Sequence, residues 1–266
     1  SPGGCVPERT STRAWEVRVH LERVFVWFDA EGRPPAWELQ CHRDVEEGLA
    51  SGRYYLGATA QLEFDMHVLE MHMNSADPHH LNTLHAALPL PVLGRFIQAS
   101  HSITQAYGEG DVCGEKVKAP QFCHLTERTS ALYYFGLRSL PVPGGAWSSS
   151  MVSAEVTFEG PSIVNFTVRT PFGTLRQVMT LLAVEPFKQF VESRWYAEPS
   201  VPRLVVFVFG VIRRPAFAQD RRVWETRVIQ DPARGVRGGG ALPQITRRYR
   251  QLYTASPAAV RNDTPA

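Results

Sequence analysis

Alternating apolar and polar residues near the start of the chain predict a β-hairpin. The pattern runs from Trp15 to Asp29, in the segment "WEVRVHLERVFVWFD", as it does in paired strands. A two-stranded hairpin by itself is only marginally stable in water, and the chain opens without an initiator Met or a signal peptide. We therefore expect residues 1–40 to be the C-terminal remnant of an upstream domain, followed by the linker "EGRPPAWEL".

The next patterned segment predicts a strand followed by a helix. Residues Tyr54 to Met73 are rich in β-formers and aromatic side chains, which favours a strand. Asp77 and Pro78 follow as a helix N-cap and a first-turn proline, so we expect a helix to begin there and to run through His80 and His85. The proline-containing stretch "LPLPVLG" then indicates a loop.

The middle of the chain predicts an antiparallel meander. Four strand candidates lie between about Phe122 and Leu182, separated by turn sequences such as "PVPGG", "EGP" and "TPFGT". The candidates are "SALYYFGLRSL", "SSMVSAEVTFEG", "SIVNFTVRT" and "LRQVMTLLAV". Successive short strands joined by tight turns are typical of an antiparallel sheet, so we expect an α+β fold.

After "VEPF" the pattern becomes helical and continues through Trp224. Six residues fall at spacings of three and four, which places them on one helical stripe: Phe209, Ile212, Ala216, Asp220, Val223 and Trp224. Asp220 is the polar member of this apolar stripe. Pro215 is expected either to kink the helix or to begin a second one, and "LVVFVFGVI" before it reads as helix or strand.

Composition limits the classes of function. A chain of 266 residues with 44% hydrophobic residues buries a sizeable core, as one large domain or two small ones. The net charge of +2 gives no reason to expect a nucleic-acid partner, and "RRYR" near the end is interpreted as a solvated helix face. The four cysteines form no C-x-x-C pair, which favours a reducing, intracellular compartment. The longest apolar run, Leu204 to Ile212, is shorter than the roughly 20 residues of a membrane span.

The segment Asn74 to His85, "NSADPHHLNTLH", carries the candidate chemistry. Asp77, His80 and His85 form D-x2-H-x4-H, and Asp220 is a distant carboxylate that needs a partner if it is buried. Two histidines and one carboxylate are the facial set of non-haem ferrous iron. Residues five apart on a regular helix point about 140° from one another, so we expect the helix to be irregular between Leu81 and Leu84, as at a π-bulge.

Plainer interpretations stay open at this point. Asp77 alone caps a helix, and the three neighbouring histidines are then ordinary surface or core side chains. A zinc hydrolase is a further alternative, but no H-E-x-x-H helix is present. The sequon at Asn165 falls in a strand-like segment, where chance is the better explanation.

The paired motifs "NSADPHHLNTLH" and "FAQDRRVWETR" resemble the catalytic domain of Rieske-type non-haem iron oxygenases, and specifically the cholesterol 7-desaturase (Neverland) group. The likeness extends to "VFVWFDAEGRPPAWEL", "GPSIVNFTVRTPFG", "VEP" and "RRYRQLY", and so covers roughly Val17 to Tyr253. It implies that residues 1–40 are the remnant of a Rieske domain plus linker, that 41–254 form the catalytic domain, and that 255–266 form a flexible tail. The implied fold is a helix-grip arrangement, with a curved antiparallel sheet around long helices.

The resemblance also implies the site and its chemistry. His80, His85 and Asp220 correspond to the ligands of a mononuclear Fe(II). Asp77 corresponds to the acidic residue that links this iron, through a hydrogen bond from His80, to the Rieske cluster of a neighbouring subunit in a homotrimer. His79 has no such counterpart. The implied reaction is O2-dependent desaturation of cholesterol at C7 and C8 to 7-dehydrocholesterol, with electrons from NAD(P)H through a reductase and a [2Fe-2S] cluster.

The chain departs from the family at the cluster. A Rieske centre needs a C-x-H and a C-x2-H pair, whereas this chain has only "CH" dipeptides at Cys41 and Cys123. We therefore expect the cluster only in a full-length protein, of which this chain is a fragment, with endoplasmic-reticulum membrane association through a further N-terminal segment. Phe166, Phe172 and Trp195 are candidates for a sterol pocket or for ordinary core. A 3-ketosteroid hydroxylase of the same superfamily and a non-catalytic helix-grip lipid-binding module are the alternative functions.

Overall fold

The computed structural model describes residues 14–29, 31–40, 42–75, 77–85, 97–112, 115–133, 147–226 and 252. The chain divides into two compact units, one of Ser1–Glu38 with Tyr253–Ala266 and one of Leu39–Leu252. The "LPLPVLG" loop, the "RRYR" run and the tail at 255–266 lie outside the described residues. The assignment of these segments to a Rieske remnant, a catalytic domain and a tail stays a prediction.

The first unit contains the predicted hairpin. Strand β1 (Val17–His20) pairs antiparallel with β2 (Arg23–Val26). Leu21 and Glu22 connect the strands with φ angles of 50° and 59°, and two successive positive φ angles are the mark of a two-residue turn that matches the strand twist. The cross-strand valine pairs Val17–Val26 and Val19–Val24 are exposed on one face.

The second unit is built on a seven-stranded antiparallel sheet with four helices. The sheet order is β3-β9-β8-β7-β6-β5-β4, so the chain forms a meander from β4 to β9 and β3 pairs with the last strand. This arrangement confirms the predicted α+β class with a large antiparallel sheet. The elements are α1 (Arg43–Ala50), β3 (Tyr55–Phe64), α2 (Leu69–Ser75), α3 (Pro78–Leu84), β4 (Ile97–Val112), β5 (Glu115–Tyr133), β6 (Trp147–Glu159), β7 (Ile163–Thr170), β8 (Gly173–Glu185), β9 (Lys188–Ala197) and α4 (Arg203–Thr226).

Two predicted elements are wrong in type. The segment after "VEPF" was expected to be helical, but β9 occupies its first part, where buried and partly buried side chains alternate. Gln189 and Ser193 are polar members of the buried series, which hides the strand pattern from a count of apolar residues. The strand predicted from Tyr54 to Met73 ends at Phe64, and α2 begins at Leu69. Strand β4 was not predicted.

Helix α4 runs unbroken from Arg203 to Thr226, so Pro215 neither ends it nor begins another helix. The apolar run before Pro215 is therefore helical. The predicted stripe is correct for Asp220 and Trp224, which are buried, but Val223 is 42% exposed, and Phe217 takes a buried place that the stripe did not include.

Helix α4 packs closely against β3 at one edge of the described sheet. The ring of Phe64 in β3 contacts Phe217 and Trp224 of α4, at centroid distances of 5.7 Å and 5.2 Å. One turn from the helix start, a Cβ built on Gly57 would lie 2.5 Å from Val206 Cγ1, so the absence of a side chain there lets the helix approach the strand. This packing fixes the part of α4 that carries Asp220.

Within the described part of the chain, no helix is both long enough and apolar enough to span a membrane. The membrane association implied by the family resemblance stays a prediction.

Replacing Phe64 tests whether ring packing holds α4 on the sheet. Phe64→Ala removes the ring between Phe217 and Trp224 and should lower the free energy of unfolding by about 3–5 kcal/mol, measured by urea denaturation. Phe172 is 52% exposed in the turn between β7 and β8, so Phe172→Ala is the matched control and should change stability by less than about 0.5 kcal/mol. Equal losses in the two variants would contradict this packing.

Candidate metal centre

Helix α3 begins where the sequence predicts. Asp77 has extended backbone angles, its carboxylate accepts a hydrogen bond from the His79 N–H at 2.9 Å, and Pro78 fills the first helical position. A helix of seven residues is too short to be stable alone. It is tied to β4 by Asn82, whose side chain donates to the His101 carbonyl at 2.9 Å and accepts from the His101 N–H at 2.7 Å.

The end of α3 explains how two histidines five residues apart come together. The helix is regular to Leu84, so the predicted irregularity between Leu81 and Leu84 is wrong. His85 instead lies at the C-cap with φ −106° and ψ 9°, while its N–H still donates to the Leu81 carbonyl at 3.0 Å. The helix geometry is abandoned only at His85, and the rings of His80 and His85 stand 4.9 Å apart and almost perpendicular.

Three side chains converge between α3 and α4. His80 Nε2 lies 2.8 Å from Asp220 Oδ1, His85 Nε2 lies 3.0 Å from the same oxygen, and the two Nε2 atoms are 3.1 Å apart. The side chains of His80, His85 and Asp220 are 9%, 15% and 6% exposed. The predicted ligand set is therefore brought together in a sheltered place, although its members are up to 140 residues apart in the chain.

The far side of each ring shows which nitrogen carries its hydrogen. His80 Nδ1 lies 3.2 Å from the main-chain carbonyl of Asn74, and His85 Nδ1 lies 3.2 Å from Oε1 of Gln219. Both partners are hydrogen-bond acceptors, so in a neutral imidazole each Nδ1 carries the hydrogen and each Nε2 presents a lone pair. Two nitrogen lone pairs and a carboxylate oxygen then face one another.

Such a group of acceptors needs a positive charge, and its spacing fits a metal ion. Ligand bonds of roughly 2.1 Å place neighbouring ligand atoms about 3.0 Å apart at the 90° angles of an octahedral face, but about 3.4 Å apart at tetrahedral angles. The three observed separations, 2.8, 3.0 and 3.1 Å, match the octahedral value. Two histidines and one carboxylate on one face of an octahedron are the donor set of non-haem ferrous iron, so the residues present fit this ion.

Electrostatics keep the carboxylate of Asp220 ionised. Burial alone would raise its pKa, but hydrogen bonds to His80 and His85 outweigh that effect and hold the pKa at about 2. Asp220 therefore supplies a negative charge throughout the physiological pH range.

Asp77 lies differently from the expectation. We expected it to accept a hydrogen bond from His80, but the carboxylate of Asp77 bonds to the His79 main chain and His80 uses the Asn74 carbonyl. His79 contributes this main-chain N–H, and its side chain is exposed. The position of Asp77 next to the first turn of α3 keeps it close in sequence to His80, but its link to another subunit stays a prediction.

The remaining sequence candidates fall into two groups. Phe166 and Trp195 are buried in the core cluster, whereas Phe172 is half-exposed and belongs neither to the core nor to a sheltered pocket. Asn165 is buried in β7, which agrees with reading its sequon as a chance occurrence. Cys123 is a buried free thiol.

Sequence reasoning missed both residues behind the histidine rings. A main-chain carbonyl such as that of Asn74 leaves no trace in a sequence. Gln219 directly precedes Asp220 inside the recognised motif "FAQDRRVWETR", so its place beside a candidate ligand was an available signal.

Comparison with known proteins places this geometry in a family context. No protein-family model matches the chain. Cholesterol 7-desaturase nvd 1 of Ciona intestinalis is 23% identical over 255 residues, which are 94% of this chain and 50% of that protein. Cholesterol 7-desaturase nvd of Hemicentrotus pulcherrimus is 26% identical over 252 residues, 95% of this chain and 51% of that protein. The chain thus spans about half the length of these curated relatives.

Among solved structures, Pseudomonas putida CBB5 NdmA with caffeine matches with a TM-score of 0.55 and 13% identity, over 94% of this chain and 64% of that one. At this identity the match shows a shared fold. The similarity along most of the chain confirms the resemblance drawn from the paired motifs, and the chain is similar in sequence to the cholesterol 7-desaturase group of Rieske-type non-haem iron oxygenases.

Proposed function

We propose that this chain is the catalytic part of an O2-dependent sterol oxidoreductase that holds one ferrous ion through His80, His85 and Asp220. The convergence of two Nε2 atoms and one carboxylate oxygen within 3.1 Å of one another carries the proposal. Only three protein ligands gather there among the described residues, and three ligands on one face leave the other coordination positions open for O2.

The substrate class rests on the relatives. Both curated relatives are named cholesterol 7-desaturases, which supports a sterol substrate and loss of one hydrogen each from C7 and C8. The balanced reaction is sterol, O2, NAD(P)H and one proton giving the C7–C8 alkene, two waters and NAD(P)+. When bound, the iron supplies the centre at which O2 is activated for this oxidation. The described part of the chain contributes the ligands, and its core face supplies apolar surroundings.

The residues of this chain have distinct tasks in that reaction. His80 and Asp220 join α3 to α4 through the ion, and His85 completes the face from the helix end. Their low exposure excludes water from the ligand side, which strengthens the electrostatic interactions within the site. Electrons would come from a [2Fe-2S] cluster supplied by a reductase, in a protein longer than this chain, and a homotrimer would bring one subunit's cluster to the next subunit's iron.

Iron binding tests the ligand assignment directly. His80→Ala, His85→Ala and Asp220→Ala should each remove most of about one bound Fe(II) per chain, since two remaining ligands hold ferrous ion poorly. His79→Ala is the matched control, because it alters an exposed neighbour on the same helix, and it should keep its iron. Iron content would be measured after anaerobic loading and desalting. Full iron in both histidine variants would refute the assignment.

Turnover tests the reaction. The chain alone, given iron, reductase and NADPH, should form no product, because it lacks the histidine and cysteine pairs of a Rieske centre. The same chain linked to a Rieske domain should convert cholesterol to 7-dehydrocholesterol, identified by its conjugated diene in mass and absorbance. A hydroxylated steroid would identify the hydroxylase alternative instead. Sterol binding without any product, despite a reduced cluster, would identify the lipid-binding module.

Asp77 tests electron transfer. Asn caps helices about as well as Asp, so Asp77→Asn should keep its melting temperature and most of its iron. If the carboxylate also contacts a cluster-binding histidine of the next subunit, loss of its charge should lower electron transfer at least about tenfold. The comparison is the rate at which a pre-reduced cluster oxidises in the linked protein, with His79→Ala as control. An unchanged rate would leave Asp77 as a helix cap only.

A further inference from the structure

The two histidines of the candidate centre are held from behind in different ways. His80 Nδ1 faces a main-chain carbonyl, that of Asn74, whereas His85 Nδ1 faces the side-chain amide of Gln219. The acceptor for His80 is part of the backbone and survives any substitution that keeps the fold. The acceptor for His85 depends on one side chain.

That side chain decides which nitrogen of His85 is available. With Oε1 of Gln219 3.2 Å from Nδ1, the hydrogen stays on Nδ1 and Nε2 keeps its lone pair. Without an acceptor there, the hydrogen is better placed on Nε2, where Asp220 Oδ1 lies 3.0 Å away and accepts it. In that second form His85 and Asp220 are hydrogen-bonded to each other, and Nε2 of His85 has no lone pair for a metal ion.

The placement of Gln219 suits this role. It directly precedes Asp220 on α4, so one helix supplies both a ligand and the acceptor that orients another ligand. It is half-buried, which limits competition from water. His85 needs this support most, because it lies beyond the last regular turn of α3.

We propose that Gln219 is a positioning residue of the metal centre, which selects the tautomer of His85 that binds metal through Nε2. This inference rests on the proposed iron site. Gln219 contacts His85 and none of the reacting atoms, and its effect is exerted through the imidazole ring. Outer hydrogen-bond partners of this kind set the orientation and basicity of metal-binding histidines.

Two substitutions separate the hydrogen bond from the volume of the side chain. Gln219→Met keeps the length but removes the acceptor, whereas Gln219→Glu restores an acceptor. Arg222→Met is the matched control, because Arg222 is exposed on the same helix. The full chain would be titrated anaerobically with Fe(II) alone. We expect Fe(II) affinity to fall about 10–100-fold in Gln219→Met, and to stay at or above the wild-type value in Gln219→Glu and Arg222→Met.

The tautomer provides a readout that a loss of general stability would not change. Long-range 1H–15N spectra of the metal-free chain should show His85 with hydrogen on Nδ1 in the wild type and in Gln219→Glu. They should show it on Nε2 in Gln219→Met. If Gln219→Met fails to fold, the proposal is tested by the wild-type tautomer: hydrogen on Nδ1 supports the proposal, and hydrogen on Nε2 overturns it.

The outcomes also separate this inference from the proposed function. Wild-type affinity together with Nδ1 hydrogen in Gln219→Met would overturn the role of Gln219 and leave the iron site intact. A wild-type chain that binds no Fe(II), or that keeps its iron in both His80→Ala and His85→Ala, would overturn the proposed site itself.

Discussion

The structure around the candidate centre depends on the mutual approach of three hydrogen-bond acceptors. His80 Nε2, His85 Nε2 and Asp220 Oδ1 lie about 3 Å from one another, and without a positive charge among them their lone pairs repel. A metal ion or an added proton removes that repulsion. Since two of the atoms come from α3 and one from α4, the cation is also a link between those helices. Metal binding and the docking of a seven-residue helix are therefore one equilibrium.

The fold was predictable where local chemistry and periodicity agree. The first hairpin, the meander and the start of α3 at Asp77 all carry turn or cap residues that act over a few positions. Strand β9 was missed because its buried series includes Gln189 and Ser193, which are buried by neighbouring strands on both sides. That burial comes from the tertiary structure, and local propensity does not contain it.

The candidate centre was predictable in its residues and not in its geometry. The motif in α3 and a lone carboxylate on an apolar helix identify His80, His85 and Asp220 from chemistry and family resemblance. The sequence could not show that α3 ends just before His85, because no glycine or proline marks the C-cap. Nor could it show that Asp77 turns to His79, since an N-cap carboxylate has several N–H groups within reach.

The bond between Asn82 and His101 has a consequence for solubility. Among the described strands β4 lies at one edge of the sheet, and an open edge offers N–H and C=O groups to any passing strand. Asn82 occupies both groups of His101 with its side chain, so α3 acts as a guard on that edge. When α3 loosens from the sheet the edge is uncovered, and chains that have lost their metal become the ones most prone to pair with one another.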